Sequence, residues 1–168
     1  NSSPLGAAVF FQGNDGVFAA HSGAPTSYIG INYQSTTGAG TISNWLLSPT
    51  INIKNGDVFS FWTRTTDGAT YADRLEVRLS TSGASVNVGA TATSVGDFTT
   101  VLLTVNPTLI SGPSGYPDTW TQYTATISGL PAPTTGKIGF RYYVTNGGPS
   151  GSNSDYIGID DVVYTTTG

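Results

Sequence analysis

The sequence predicts an all-β fold: two antiparallel sheets packed as a jelly-roll sandwich. Three observations point there. Apolar residues recur at every second position in segment after segment of strand length. Clusters of Gly, Pro, Asn and Asp separate these segments. No apolar stripe at i, i+3, i+4, i+7 persists for three turns, so almost no helix is expected.

Taken in order, "AVFFQG" reads as a short strand near the start, followed by "SYIGINY" and "DVFSFWTRT". In "DRLEVRLS", Leu75, Val77 and Leu79 alternate with Arg74, Glu76 and Arg78, the pattern of a half-buried strand. Glu76, the sole glutamate, therefore reads as part of a solvated charge ladder between two arginines. "TTVLLTV" is the next run of β-branched residues, and "WTQYTATI" places Tyr123, Ala125 and Ile127 on one face. In "KIGFRYYV", Ile138, Phe140, Tyr142 and Val144 form one face while Arg141 and Tyr143 lie on the other. "YIGIDDVVY" closes the chain with two adjacent aspartates inside a strand. Eight to ten such strands with no internal repeat make a single domain over residues 1–168. The loops at 106–119 and 145–155 are long, surface-bound in expectation, and the natural places for binding.

Composition narrows the function. Six Lys and Arg against ten acids leave no basic patch, which excludes nucleic acid as a partner. No apolar run approaches the length of a membrane span. The chain has no cysteine, so disulfides, thiolate metal sites and a cysteine nucleophile are all excluded. A Thr, Ser and Gly-rich chain with 10% charged residues leans towards a secreted bacterial β-protein.

Candidate chemistry is sparse. His21 is the one histidine and has no nucleophile or orienting acid at a telling spacing, so it reads as a loop residue not expected near a Ser or Asp. Glycoside hydrolysis needs two opposed carboxylates, and nothing singles out such a pair. The chain therefore reads as a non-enzyme. Asp160 and Asp161 pose a sharper question, since strand neighbours point to opposite faces and one of the pair should be interior. A buried cation, or an arginine such as Arg141 or Arg74, would neutralise it. Among aromatics, Tyr116 in "SGYPD" reads as exposed in a loop, and Tyr143 sits on the polar face of its strand. Both are candidate ligand-binding residues.

Three stretches together resemble the choice-of-anchor J and cleaved-adhesin domains of bacterial surface proteins. They are "TISNWLLSPTINIKNGDVFSFWTRT", "ADRLEVRLSTSG", and the closing "WTQYTATISGLPAPTTGKIGFRYYVTN" with its terminal "YIGIDDVVY". The resemblance runs from about Phe11 to Tyr164. It implies a MAM-like, galactose-binding-like jelly roll, exported and displayed at the cell surface. With no catalytic constellation beside it, the adhesin-like pattern leads to a non-catalytic extracellular cell-adhesion or binding module with a surface protein or glycan as partner; the alternatives are a filament or layer subunit assembled from copies of the chain, and a carbohydrate-binding accessory module. Structural Ca²⁺ is implied too. By position Asp160 is its first candidate ligand, Asp161 the second, with Asn32 and Asp73 in matching segments. One departure stands out: the family's opening strand, with its F-[ED] pair, has no counterpart before "FFQG". Either that strand has been trimmed away or something else fills its place; an edge left open could pair with a neighbouring molecule's strand, as in an extracellular filament.

Overall fold

The computed structural model of the chain describes residues 1–168 and contains eleven strands and one 3-10 turn at Tyr33–Ser35. The strands are β1 (Ser3–Leu5), β2 (Phe11–Gln12), β3 (Ile29–Asn32), β4 (Thr36–Leu47), β5 (Ile51–Ile53) and β6 (Val58–Thr65). They continue with β7 (Leu75–Ser80), β8 (Thr100–Val105), β9 (Thr121–Thr126), β10 (Thr134–Gly147) and β11 (Tyr156–Thr165). One sheet runs β1-β4-β10-β7-β8, with β5 beside the start of β10; the other runs β2-β3-β11-β6-β9. All strand pairs are antiparallel. No helix is long and apolar enough to cross a membrane.

The expected alternation sets the core. Leu75, Val77 and Leu79 face Phe59, Phe61, Ile157 and Ile159 across the sandwich, all buried in one cluster with Ile138, Phe140, Tyr142 and Val144. Phe140 bridges the sheets: its ring meets Phe61 edge-on at 5.0 Å and Phe59 at 5.7 Å. Each such side chain contributes about 1.5–3 kcal/mol by leaving water.

The outer faces are where the sequence reading fails. Glu76 is only 8% exposed, not solvated. It bonds Arg141 at 2.7 Å and Arg78 at 2.9 Å, and Arg141 is itself 2% exposed. The segment 81–99 folds back over this face. Ala92 and Phe98 lend carbonyls to Arg141 and Arg78, and the buried Phe98 packs against Trp45. Burial alone would raise the Glu76 carboxyl, but the two guanidiniums outweigh it and hold the group below the usual range. A second loop, residues 13–28, covers the other sheet, where Phe18, Tyr28 and Tyr156 form a small aromatic core flanked by Trp120.

The N-terminal residues close one edge of the first sheet. β1 pairs with β4 at Thr36 and Thr41, and the Asn1 ammonium donates to the Ser43 carbonyl at 2.8 Å. On the opposite sheet β3 pairs with β11 only as far as Ile159, so β11 beyond it is paired on the β6 side alone.

Candidate functional site

Neither aspartate of the closing strand faces between the sheets, which overturns the expectation of an interior carboxylate. Asp160 follows inward-facing Ile159 and so projects from the outer face, opposite Trp62. A bulge between Asp160 and Val163 puts Asp161 at a φ of 48°, a conformation aspartate tolerates better than most residues. Both carboxylates therefore reach the same loop. Asp160 accepts the backbone N–H groups of His21 (2.9 Å), Ser22 (3.1 Å) and Asp161 (2.7 Å). Asp161 takes the Ser22 hydroxyl at 2.5 Å and His21 Nδ1 at 2.6 Å, contacts that hold its carboxyl below the usual range. Three backbone amides, and no arginine, offset the Asp160 carboxylate.

His21 thus lies beside a Ser and an Asp, contrary to expectation, with its ring stacked on Trp62 at 3.8 Å. The three do not form a nucleophilic relay. In such a relay the serine hydroxyl donates to the imidazole, whereas Ser22 donates to the carboxylate. The cluster pins the covering loop.

The four residues expected to ligate calcium are not brought together. Asp160 lies four residues, about 13 Å of strand, along β11 from Tyr156, the pairing partner of Asn32. The Asn32 side chain accepts from the Gln34 N–H as the cap of the 3-10 turn. Asp73 is fully buried and bonded by Thr65 (2.8 Å), Tyr142 (2.5 Å) and the Asp155 N–H (2.9 Å). No group of three or more His, Cys, Asp or Glu side chains has a geometry able to hold a metal ion. These residues do not fit a shared Ca²⁺ site.

Of the two tyrosines, Tyr116 is corrected outright. It is 2% exposed in the main core, its hydroxyl 2.6 Å from Thr63 Oγ1, which in turn donates to the Gly158 carbonyl. Tyr143 is half-buried, with its ring face under the Arg141 guanidinium at 3.7 Å and Arg74 at 4.5 Å. Its stacking surface is already in use.

What the fold does assemble is a cleft of about 550 Å³ at one end of the sandwich. Three connections build it: the turn after β3, the β6–β7 loop and the β10–β11 loop. Tyr33 (38% exposed) and Tyr71 (51%) present large aromatic surfaces there, with Asp67, Asp155 and Thr70 among the polar lining. The walls are fixed from below. Asp73 ties β6, β10 and Asp155 together, and Ser154 N donates to Ala72 O at 2.7 Å, joining the two longer loops. Gly148, at a φ of 94°, lies so close to the Gly38 carbonyl that a Cβ would sit 2.4 Å from it, so the β10–β11 loop is wound tightly on the fold. Asp155 uses one carboxylate oxygen to accept from Thr66 at 3.0 Å; burial pushes its carboxyl up. The sequence reading placed a binding loop at 145–155 but missed Tyr33 and Tyr71. Their signal is position: "GINYQ" and "DGATYAD" each set a tyrosine beside a strand end or a turn, where no strand face can bury it.

A second concavity of about 600 Å³ lies beside the unpaired edge of β11, lined by Phe10, Ile29, Leu46, Ile159 and Val162 among others.

Two facing antiparallel sheets with a cleft built from end loops define a β-sandwich module. Among solved structures, the chain is similar to the K1 cleaved adhesin domain of Lys-gingipain from Porphyromonas gingivalis W83. The TM-score is 0.61 at 22% identity, covering 100% of this chain and 90% of that one. The K3 cleaved adhesin domain of the same protein matches with a TM-score of 0.54 at 23% identity, over 85% of this chain and 75% of that one. A structure of carbohydrate-binding modules from the β-sandwich superfamily matches with a TM-score of 0.51 at 17% identity, over 99% of this chain and 54% of that one. No protein-family model and no curated protein matches the sequence. At these identities the likeness establishes the fold, and the fold is the one the sequence resemblance implied.

Proposed function

We propose that this domain is a non-catalytic, extracellular adhesion or binding module of a bacterial surface or secreted protein, and that it holds a saccharide in the loop-end cleft. The observation that carries this reading is the pairing of two exposed tyrosines with hydrogen-bonding groups not used by the fold. Tyrosine rings offer flat apolar faces to the C–H side of a sugar, and polar groups beside them fix its hydroxyls. The likeness in fold to adhesin domains and to carbohydrate-binding modules supports the reading. The absence of a Ser-to-His hydrogen bond at His21 supports a binding rather than a hydrolytic role.

The test is a glycan array followed by titration calorimetry of the intact domain. Binding is expected, weakened about tenfold or more by Tyr71→Ala and by Tyr33→Ala, with unchanged melting temperature. Failure of every array member to bind at any calcium level refutes the proposal.

A second reading, assembly by strand addition, is favoured by one observation. The β11 edge beyond Ile159 is unpaired, carries exposed Val162 and Val163, and borders an apolar groove. Sedimentation over a wide concentration range decides it: a strictly monomeric domain excludes this reading.

A further inference from the structure

We propose that the loop-end cleft takes uncharged saccharides and rejects those bearing carboxylate or sulfate groups. This rests on the reading of the cleft as a saccharide site and names the class of ligand it selects.

The lining has two carboxylates, Asp67 and Asp155, and no Lys, Arg or His. A carboxylate is an acceptor only, so it pairs with the hydroxyl donors of a neutral sugar and has nothing to offer another anion. Asp67 makes no hydrogen bond within the chain, and Asp155 spends one oxygen on Thr66, leaving Oδ1 free. The tyrosine hydroxyls of the rim are likewise unbonded to the chain, so donors as well as acceptors face the ligand. The neighbouring guanidinium, that of Arg64, is committed elsewhere. It donates to the Thr65 and Asp118 carbonyls and lies over the Phe18 ring at 4.4 Å. Arg64 feels the Asp67 charge without bonding to it and offsets only part of it; no cation lines the cleft itself, and the whole chain carries a net charge of −4.

The size of the discrimination follows from Coulomb's law. One like-charge pair at about 6 Å and an effective dielectric of about 40 costs about a factor of ten in affinity. Two carboxylates give about a hundredfold, and salt reduces the effect.

The experiment compares matched ligands on the intact domain by titration calorimetry: neutral gluco-, galacto- and manno-oligosaccharides against their uronic-acid and sulfated counterparts. A neutral member is expected to bind, with its acidic counterpart about a hundredfold weaker. Asp67→Asn combined with Asp155→Asn should bring the two within about tenfold, and Asp67→Lys alone should narrow the gap further at low salt. An acidic ligand that binds as tightly as its neutral match overturns the inference while leaving the saccharide reading standing. So does a gap that the asparagine variants leave unchanged. If no saccharide of either kind binds, the saccharide reading falls and this inference falls with it.

Discussion

Asp73→Asn removes one charge from the base of the cleft and is expected to stabilise the domain at neutral pH. Asp73 is fully buried, and burial pushes its carboxyl up to about 6 against the bonds from Tyr142, Asp155 and Thr65, which pull it down. The hydrogen-bond inventory shows how the neutral form is accommodated. The Thr65 hydroxyl has one proton and two acceptors within reach, Asp73 Oδ2 at 2.8 Å and the Tyr156 carbonyl at 2.9 Å. If Asp73 is protonated on Oδ2 it donates to Thr65, whose own proton then goes to Tyr156, and every group is satisfied. An asparagine amide with its NH₂ at that position reproduces this arrangement at every pH, while its carbonyl keeps the Tyr142 and Asp155 donors. A carboxyl held at about 6 in the fold and at 3.8 in the unfolded chain binds its proton more tightly when folded. Its stabilising contribution is complete below 3.8 and is lost as pH rises through 6. At about 1.4 kcal/mol per pH unit, the loss is about 3 kcal/mol.

Urea unfolding followed by tryptophan fluorescence at pH 4 and pH 7 measures this. Glu76, whose folded carboxyl is depressed, acts with the opposite sign, but it is common to both proteins and cancels in the difference. The stability of the variant relative to the parent should rise by about 2.4 kcal/mol from pH 4 to pH 7, since part of the change already lies below pH 4. A difference constant with pH would refute the reasoning, whatever its sign.

Arg141→Ala strips Glu76 of its buried partner and should destabilise by about 3–5 kcal/mol in urea. Arg78→Ala, which leaves the Arg141 bond in place, should cost about 1.5–3 kcal/mol; a loss under 0.5 kcal/mol would mean that the 81–99 segment does not cover this face in solution. Phe140→Ala opens the inter-sheet contact with Phe59 and Phe61 and should cost about 3–5 kcal/mol by the same assay. Asp160→Ala frees the His21 and Ser22 amides, so their hydrogen exchange should accelerate while β10 amides stay protected. A chelator should leave the melting temperature of the parent unchanged, and a drop of several degrees would restore calcium to the account.

The strands were legible because burial on one face writes itself into alternation: Ile138, Phe140, Tyr142 and Val144 are interior as the spacing predicted. Alternation does not say whether a loop returns to cover the other face. Glu76 and Arg141 have the spacing of a wet face and the burial of a dry one, because residues 81–99 lie over them. The Asp160–Asp161 pair misled for a related reason, since the bulge turns Asp161 out of the inward position that alternation would give it. Tyr116 sits among turn residues, and only the path of the chain reveals that its ring plugs the end of the core beside Thr63. The cleft was half legible: the 145–155 segment stood out as a long loop and does line the cleft, but the tyrosines there come from two other connections that meet it only in three dimensions.

The cleft opens at Asp155, just ahead of β11, and that strand runs from Tyr156 to Thr165, nine steps or about 30 Å. A pull applied between a ligand in the cleft and the far end of β11 would load that strand lengthwise against β3 and β6. The β6 ladder would carry that load along the whole strand and the β3 ladder only over Tyr156–Ile159, so the bonds beside the cleft would share the force at once instead of parting one after another.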